Sequence, residues 1–225
     1  MQVRGKGGRS HRSYGDPCGI ARALDAVGER WALLVVRELL LGPKRFTDLR
    51  AGLGAASPNV LSQRLRELEA AGVVRRRKAG PVLYELTEWG RELRPILLRL
   101  GRWGARSSAR PAGALGVDAL MIALESTFVP ERAAGIRATY ELRLGGERFS
   151  VEVEDGAIAV ARGTPRRADA VIETDSATLR GLAFGDRKLA GAPVAIRGDA
   201  GLARAFFGLF ARPSPAAAAD AREKG

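Results

Sequence analysis

The pattern of apolar and polar positions changes character near the middle of the chain. Through residue 106 apolar side chains recur three or four apart, and beyond residue 117 much of the pattern alternates with a period of two. Ile20, Leu24 and Val27 give helical spacing over residues 18–27, and residues 30–41 (RWALLVVRELLL) are apolar around most of a helix circumference. Gly42 and Pro43 should stop that second helix, and Thr47 is expected to cap a short third one, TDLRAGL. Ser57 then offers an N-cap, Pro58 suits the first helical position, and Gly72 stands where the fourth helix should end. Residues 73–78 and 82–86 are short and β-prone, joined by Ala79, Gly80 and Pro81, and read as a hairpin. Helix, helix, tight turn, helix and hairpin follow in the order of a winged helix-turn-helix.

The fourth helix carries chemistry. At about 100° per residue, Leu61, Leu65 and Leu68 share a narrow sector, while Asn59, Ser62, Gln63 and Arg66 lie away from it. Amide, hydroxyl and guanidinium groups on one helix face are those that bond base edges in a DNA major groove. Any solvated helix face is also polar, so the helix alone does not decide the matter. The hairpin adds Arg75, Arg76, Arg77 and Lys78 beside it, placed to reach phosphates flanking the groove. The expected DNA-contacting set is therefore Arg45, Thr47, Ser57 and Pro58, with Asn59, Ser62, Gln63 and Arg66 reading bases and the four wing cations holding the backbone.

Past the hairpin, Trp89, Leu93, Ile96, Leu97, Leu100 and Trp103 recur three or four apart and predict one further helix over 89–103. Its apolar stripe exceeds what a short domain needs to cover. It either meets a second copy or packs on the rest of this chain.

Residues 107–116, rich in Ser, Ala, Gly and Pro, read as a linker, and the second half as a separate unit. Residues 117–128 are helical in pattern; 136–144, 147–153, 157–161 and 170–174 are β-prone, with Gly145-Gly146 and Asp155-Gly156 at turns. A helix capped at Asp175 or Ser176, a brief strand at 193–196 and a helix over 199–210 complete it. An antiparallel sheet covered by helices is the economical arrangement, so the whole chain is expected to be α+β. The expected units are a basic arm (1–15), a winged-helix domain (16–106), the linker (107–116), the second domain (117–212) and a disordered tail (213–225).

Charge sharpens this division. The formal net charge is +12; residues 1–106 hold 21 Lys+Arg against 10 Asp+Glu, and residues 107–225 hold 16 against 15. The excess therefore sits with the candidate helix and wing, pointing to a polyanionic partner for that half, duplex DNA above all. The sole cysteine, Cys18, excludes an intramolecular disulfide, and the sole histidine, His11, leaves no zinc set or His-based triad. No cofactor, metal or catalytic residue is expected, and the chain does not read as an enzyme. No stretch approaches about 18 consecutive apolar residues, and the start lacks an apolar signal core, so a cytoplasmic protein without membrane association is expected.

Residues 18–103 resemble the HxlR family of bacterial winged-helix regulators. The motifs are a cysteine opening the first helix, the W-LL--REL helix, RF-DL, LS-RL-ELE, and YELT-WG before the last helix. The resemblance implies a regulator, in the first instance a repressor, that binds palindromic operators as a homodimer. Pairing would run through the first helix and the helix after the wing, here Ile20, Leu24, Trp89, Leu93, Ile96, Leu97, Leu100 and Trp103. It also implies oxidant sensing near Cys18, although Gly19 stands where the family usually has proline, and a small apolar role for the thiol fits equally.

The second half resembles a sterol carrier protein 2-like domain, through its strand meander, ADAVIETD, LAFGDRKLAGAPVAIRGD and the closing FFGLF. That resemblance implies a cavity for a small apolar effector, with Leu120, Leu124, Phe128, Tyr140, Phe149, Phe184, Phe206, Phe207 and Phe210 as candidate lining. The same side chains would serve as an ordinary core. A lipid or metabolite carrier with a docking basic half is the alternative function.

Overall fold

The computed structural model describes residues 13–77, 80–107, 113 and 115–211. The expected arm before residue 13, the tail after residue 212, most of the linker and Lys78 lie outside the described residues. The chain folds as α1 (Gly19–Val27), α2 (Ala32–Leu39), α3 (Phe46–Gly52), α4 (Pro58–Ala70), β1 (Val74–Arg77) and β2 (Leu83–Leu86), then α5 (Glu88–Arg91) and α6 (Leu93–Gly104). The second half adds α7 (Val117–Thr127), β3 (Ala138–Leu144), β4 (Glu147–Glu154), β5 (Ala157–Arg162), β6 (Ala170–Thr174), α8 (Ser176–Phe184), β7 (Ala195–Gly198) and α9 (Ala200–Gly208).

The N-terminal core gathers Val35, Val36, Leu39, Leu49, Leu61, Leu65 and Leu68 from α2, α3 and α4, closed by Val73, Val74 and Leu86 of the hairpin. Ser57 caps α4 by accepting from the Val60 N–H at 3.3 Å, with Pro58 in the first turn, as the sequence predicts. Gly72, at φ 75°, turns the chain from α4 into β1 in a backbone conformation that favours glycine. Thr47 is not a cap. It lies inside α3, whose N-cap is Arg45, and Asp48 accepts the Arg45 N–H at 3.1 Å. The second helix begins at Ala32 rather than Arg30, because Trp31 sits at φ 79°, outside helical space.

The YELT-WG motif has a local cause. Thr87 Oγ1 donates to Gly72 O at 2.7 Å and accepts from the Gly90 N–H at 3.0 Å, pinning α5 to the end of the hairpin. A Cβ on Gly90 would fall 2.2 Å from Val73 O, so only glycine permits this approach. The single helix expected over 89–103 is broken at Glu92. Pro95 has no N–H to offer Arg91 O, and its ring would crowd that carbonyl, so α5 ends at Arg91 and α6 starts anew.

The second half is a five-stranded sheet, ordered β5-β4-β3-β6-β7, with a core built on Tyr140, Leu142, Phe149, Val151 and Ile172 against α7, α8 and α9. It is not wholly antiparallel. β3 and β6 run parallel, in register Tyr140↔Ala170 to Leu144↔Thr174, while the other neighbours are antiparallel. The segment 163–169 carries the chain from β5, at one edge, back to the starting end of β3, so β6 enters in the same direction as β3.

The halves are packed together. Arg94 on α6 forks onto Glu125 of α7 at 2.9 and 2.6 Å, and Arg102 donates to Ser126 O and Phe128 O at 3.0 and 2.8 Å. A cation on the last carbonyls of α7 satisfies groups that the helix end leaves open. Lys44 reaches Glu38 at 2.6 Å and also pairs with Asp118 of α7, which Arg162 holds from its other side. Leu41 enters the second core.

Candidate nucleic-acid interface

Two devices bring the expected DNA-contacting residues onto one assembly. The turn before α3 is tied to the wing by paired backbone bonds, Lys44 N–H to Tyr84 O at 3.0 Å and Tyr84 N–H to Lys44 O at 2.8 Å. The wing is in turn tied to α4 by Arg76, whose Nε and NH2 donate to the two Glu69 oxygens at 3.2 and 2.8 Å. Arg76 also stands over the Tyr84 ring at 5.4 Å. The Glu69 hydrogen bonds raise the Arg76 pKa above its ordinary value, so the guanidinium is a fixed cation.

Arg45, Thr47, Ser57, Pro58, Asn59 and Arg66 are exposed, and Ser62 and Gln63 half-buried. The outward face of α4 is knitted together in the free protein. Arg66 NH2 donates to Gln63 Oε1 at 2.6 Å, and Gln63 Nε2 donates to Glu67 Oε1 at 2.6 Å. Glu67 also accepts from Arg64, which stands 3.5 Å from Glu29. These bonds tie Gln63 and Arg66, the two longest side chains of the expected base-contacting set, to one another and to Glu67.

The wing cations differ in availability. Arg75 is spent on Glu85 at 2.8 Å across the hairpin, Arg76 on Glu69, and Arg77 is exposed at the end of β1. Glu67, Glu69 and Glu85, absent from the sequence-based set, therefore govern what the arginines can do. Glu85 follows from the hairpin register, in which it faces Arg75 directly, and Glu67 from its place four residues after Gln63 on one helix, whereas the Glu69–Arg76 pair had no local signal.

Ile20, Leu24, Trp89, Ile96, Leu100 and Trp103 are all exposed, Trp103 at 74% and Ile20 at 73%, whereas Leu93 is half-buried and Leu97 buried in the N-terminal core. On α6 the two faces differ, with Leu100 at the border between them. Arg94, Leu98, Gly101 and Arg102 lie toward α7, and Ile96 and Trp103 lie about half a turn away. The helix thus meets the second half on one side and leaves an apolar stripe on the other.

Cys18 is exposed at the start of α1, its N–H donating to Asp16 Oδ1 at 2.8 Å, so it is not a buried apolar filler. Of the nine residues expected to line a cavity in the second half, Leu120, Leu124, Phe128, Tyr140, Phe149, Phe206 and Phe210 are buried in its core, and Phe207 packs against them. The Phe206 ring packs tilted against Tyr140 at 4.9 Å and edge-on to Phe210 at 5.1 Å, between the sheet and the helices. Phe184 packs against the same core, its ring 6.3 Å from that of Phe210, and also lines a space between the two halves. Among the described residues no group of three or more metal-binding side chains occurs, and no helix is long and apolar enough to cross a membrane.

Residues 26–111 match the family model described as HxlR-like helix-turn-helix. The HTH-type transcriptional regulator YvaP of Bacillus subtilis (strain 168) is 41% identical over 86 residues, which are 36% of this chain and 80% of YvaP. The chain belongs to the HxlR-like helix-turn-helix family. The relatives in that family are named as HTH-type transcriptional regulators, and the chain spans about two thirds of the length of the mycobacterial ones. The regulator Rv3095 of Mycobacterium tuberculosis (strain ATCC 25618 / H37Rv) is 43% identical over 108 residues, covering 46% of this chain and 66% of Rv3095. Among solved structures, the redox regulator HypR in its oxidized form aligns over 42% of this HxlR-family chain and 100% of its own, at 36% identity and a TM-score of 0.37.

Proposed function

We propose that this HxlR-family regulator is a repressor that binds a two-fold symmetric operator as a homodimer in the bacterial cytoplasm. The observation that carries the reading is the placement of α4 beside the wing, the two bridged by Glu69 and Arg76, with Asn59, Gln63 and Arg66 facing outward. α4 enters the major groove; Asn59, Ser62, Gln63 and Arg66 meet base edges, while Arg45, Thr47, Ser57, Pro58 and the wing cations meet the backbone. The exposed apolar stripe on α6, with Ile20 and Leu24 of α1, supplies the isologous contact. A membrane-docking carrier would need the cations but not the amide-bearing face.

The second half is read as a sterol carrier protein 2-like domain that responds to a small apolar effector. Its mixed sheet with helices packed on it is compatible with that reading. Cys18, exposed at a helix start, is a second input for oxidants.

Selection of bound duplexes from a random pool, followed by sequencing, tests the operator reading. The expected product is an inverted repeat whose half-sites lie about 10 base pairs, or a multiple of that, apart. A pool that emerges without an enriched motif overturns it.

A further inference from the structure

Aromatic side chains pack the space between the sheet and its helices, but an open cavity lies at the junction of the two halves. It has a volume of about 420 Å³ and is walled by Leu33 of α2, Leu97 of α6, Ala119 and Ile122 of α7 and Phe184 of α8. Its size falls within the range of small-ligand pockets and exceeds one side chain. The lining is apolar with few exceptions. Ser126 and Thr127 already donate to Ala123 O of their own helix, at 3.0 and 2.7 Å. Arg37 differs: its NH2 donates to Glu38 Oε1 at 2.8 Å, but its Nε is buried with no hydrogen-bond partner.

We propose that this junction cavity is the effector site and that its ligand is an amphipathic anion, an apolar tail carrying a carboxylate that Arg37 receives. A buried N–H without an acceptor costs stability, and a carboxylate supplies both acceptor and counter-charge. The apolar side chains of a second copy fit less well. Leu34 and Leu100, at the cavity's mouth, are exposed, yet Ile20, Leu24 and Trp103 of a partner would bring no acceptor for Arg37.

The site is wired to the DNA-binding surface. Glu38, which holds Arg37, also accepts from Lys44 Nζ at 2.6 Å, and the Lys44 backbone pairs with Tyr84 of the wing. Glu38 fills the space beneath Gly52 of α3, where a Cβ would come within 2.4 Å of its Oε2. A carboxylate that competes with Glu38 for Arg37 therefore bears on Lys44, the base of α3 and the wing at once. Occupancy of the cavity stands independently, whereas the effect on DNA rests on the operator reading above.

Calorimetry of the full chain without DNA, using decanoate and the neutral decanol of equal tail length, tests occupancy. Decanoate should bind at one site per chain at least tenfold tighter than decanol. Arg37→Met should bring decanoate down to the level of decanol, and Ala123→Phe, which fills the cavity, should abolish both. Equal binding of the two probes to the native chain overturns the proposal, as does decanoate binding that splits dimers into monomers, which would assign the cavity to the partner copy. Should Ala123→Phe fail to fold, as judged by its melting curve, the Arg37→Met comparison decides alone. A second arm measures the selected duplex with and without decanoate: its affinity should shift for the native chain and stay constant for Arg37→Met. If no duplex is selected but calorimetry succeeds, the operator reading falls and the ligand site remains.

Discussion

Glu69 and Arg76, seven residues apart on a helix and a strand, share two hydrogen bonds that set the wing against the recognition helix. Both side chains keep contact with solvent, at 38% exposure for Arg76 and 24% for Glu69, so the pair contributes only about 0.2–1 kcal/mol to folding. Its larger effect is on binding. A phosphate that takes Arg76 must displace Glu69, and the carboxylate then stands beside a polyanion.

Glu69→Gln should therefore tighten binding to every duplex. One more cation becomes free for a phosphate, steepening the dependence of log affinity on log salt by about 0.9 unit. Because the gain does not depend on base sequence, the ratio of specific to non-specific affinity should not rise. Fluorescence anisotropy across a potassium chloride series measures both. An unchanged slope would mean that Arg76, once freed from Glu69, meets no additional phosphate.

The Arg66–Gln63–Glu67 chain predicts coupling between the two base-reading side chains. Arg66→Ala or Gln63→Ala should each cost about 1–3 kcal/mol on the operator and relax base preference. Since each residue orients the other, the double variant should lose less than the sum, with an interaction energy of roughly 0.5–3 kcal/mol. Additive losses would show that the bonds seen in the free protein are absent on DNA.

How far the sequence foretold these features depended on whether the cause was local. α4 was legible because its cap, its Pro58 and its leucine spacing all lie within the helix itself. The break at Glu92 had a visible cause in Pro95, but the apolar spacing from Trp89 to Trp103 spans it and reads as one helix. The parallel pairing of β6 with β3 was hidden, because alternation in AVIET tells which face is buried and not which neighbour or direction the strand takes. Tyr140, Phe206 and Phe210 could equally have lined a cavity or filled a core, since composition is the same in both. The junction cavity was illegible for a related reason: its walls come from four helices, and no one helix's pattern says which faces meet.

Ile96→Asp tests the apolar stripe. Ile96 is 57% exposed in the single chain, so the change should alter protomer stability by no more than about 0.5 kcal/mol. A symmetric interface carries the substitution twice, and an unpaired carboxylate is costly to bury. The dimer dissociation constant should then rise roughly 100-fold or more, equivalent to about 2.7 kcal/mol. Sedimentation velocity over a concentration series reads this, and operator affinity should fall in parallel. A variant that remains dimeric at the native concentration would move the interface elsewhere.

Tyr140 provides a test of the core. Its ring is fully buried against Phe206, and its hydroxyl has no hydrogen-bond partner. Burial, aided by the charges of Asp169 and Asp199, pushes its pKa up to about 12. The unfolded chain gives up this proton near pH 10, and the folded one holds it two units longer. Below pH 10 both states are protonated and the phenol's contribution is complete; between pH 10 and 12 the unfolded state is favoured progressively, by on the order of 2 kcal/mol in all. Tyr140→Phe should remove that alkaline loss. At pH 7 it should be neutral or stabilising by up to about 1 kcal/mol, since deleting an unpaired buried hydroxyl leaves no partner stranded. Urea melts of both proteins from pH 7 to 12, with absorbance at 295 nm following phenolate formation, check the two halves of the argument. Destabilisation of Tyr140→Phe by more than 1 kcal/mol at neutral pH would mean that the hydroxyl is bonded in solution.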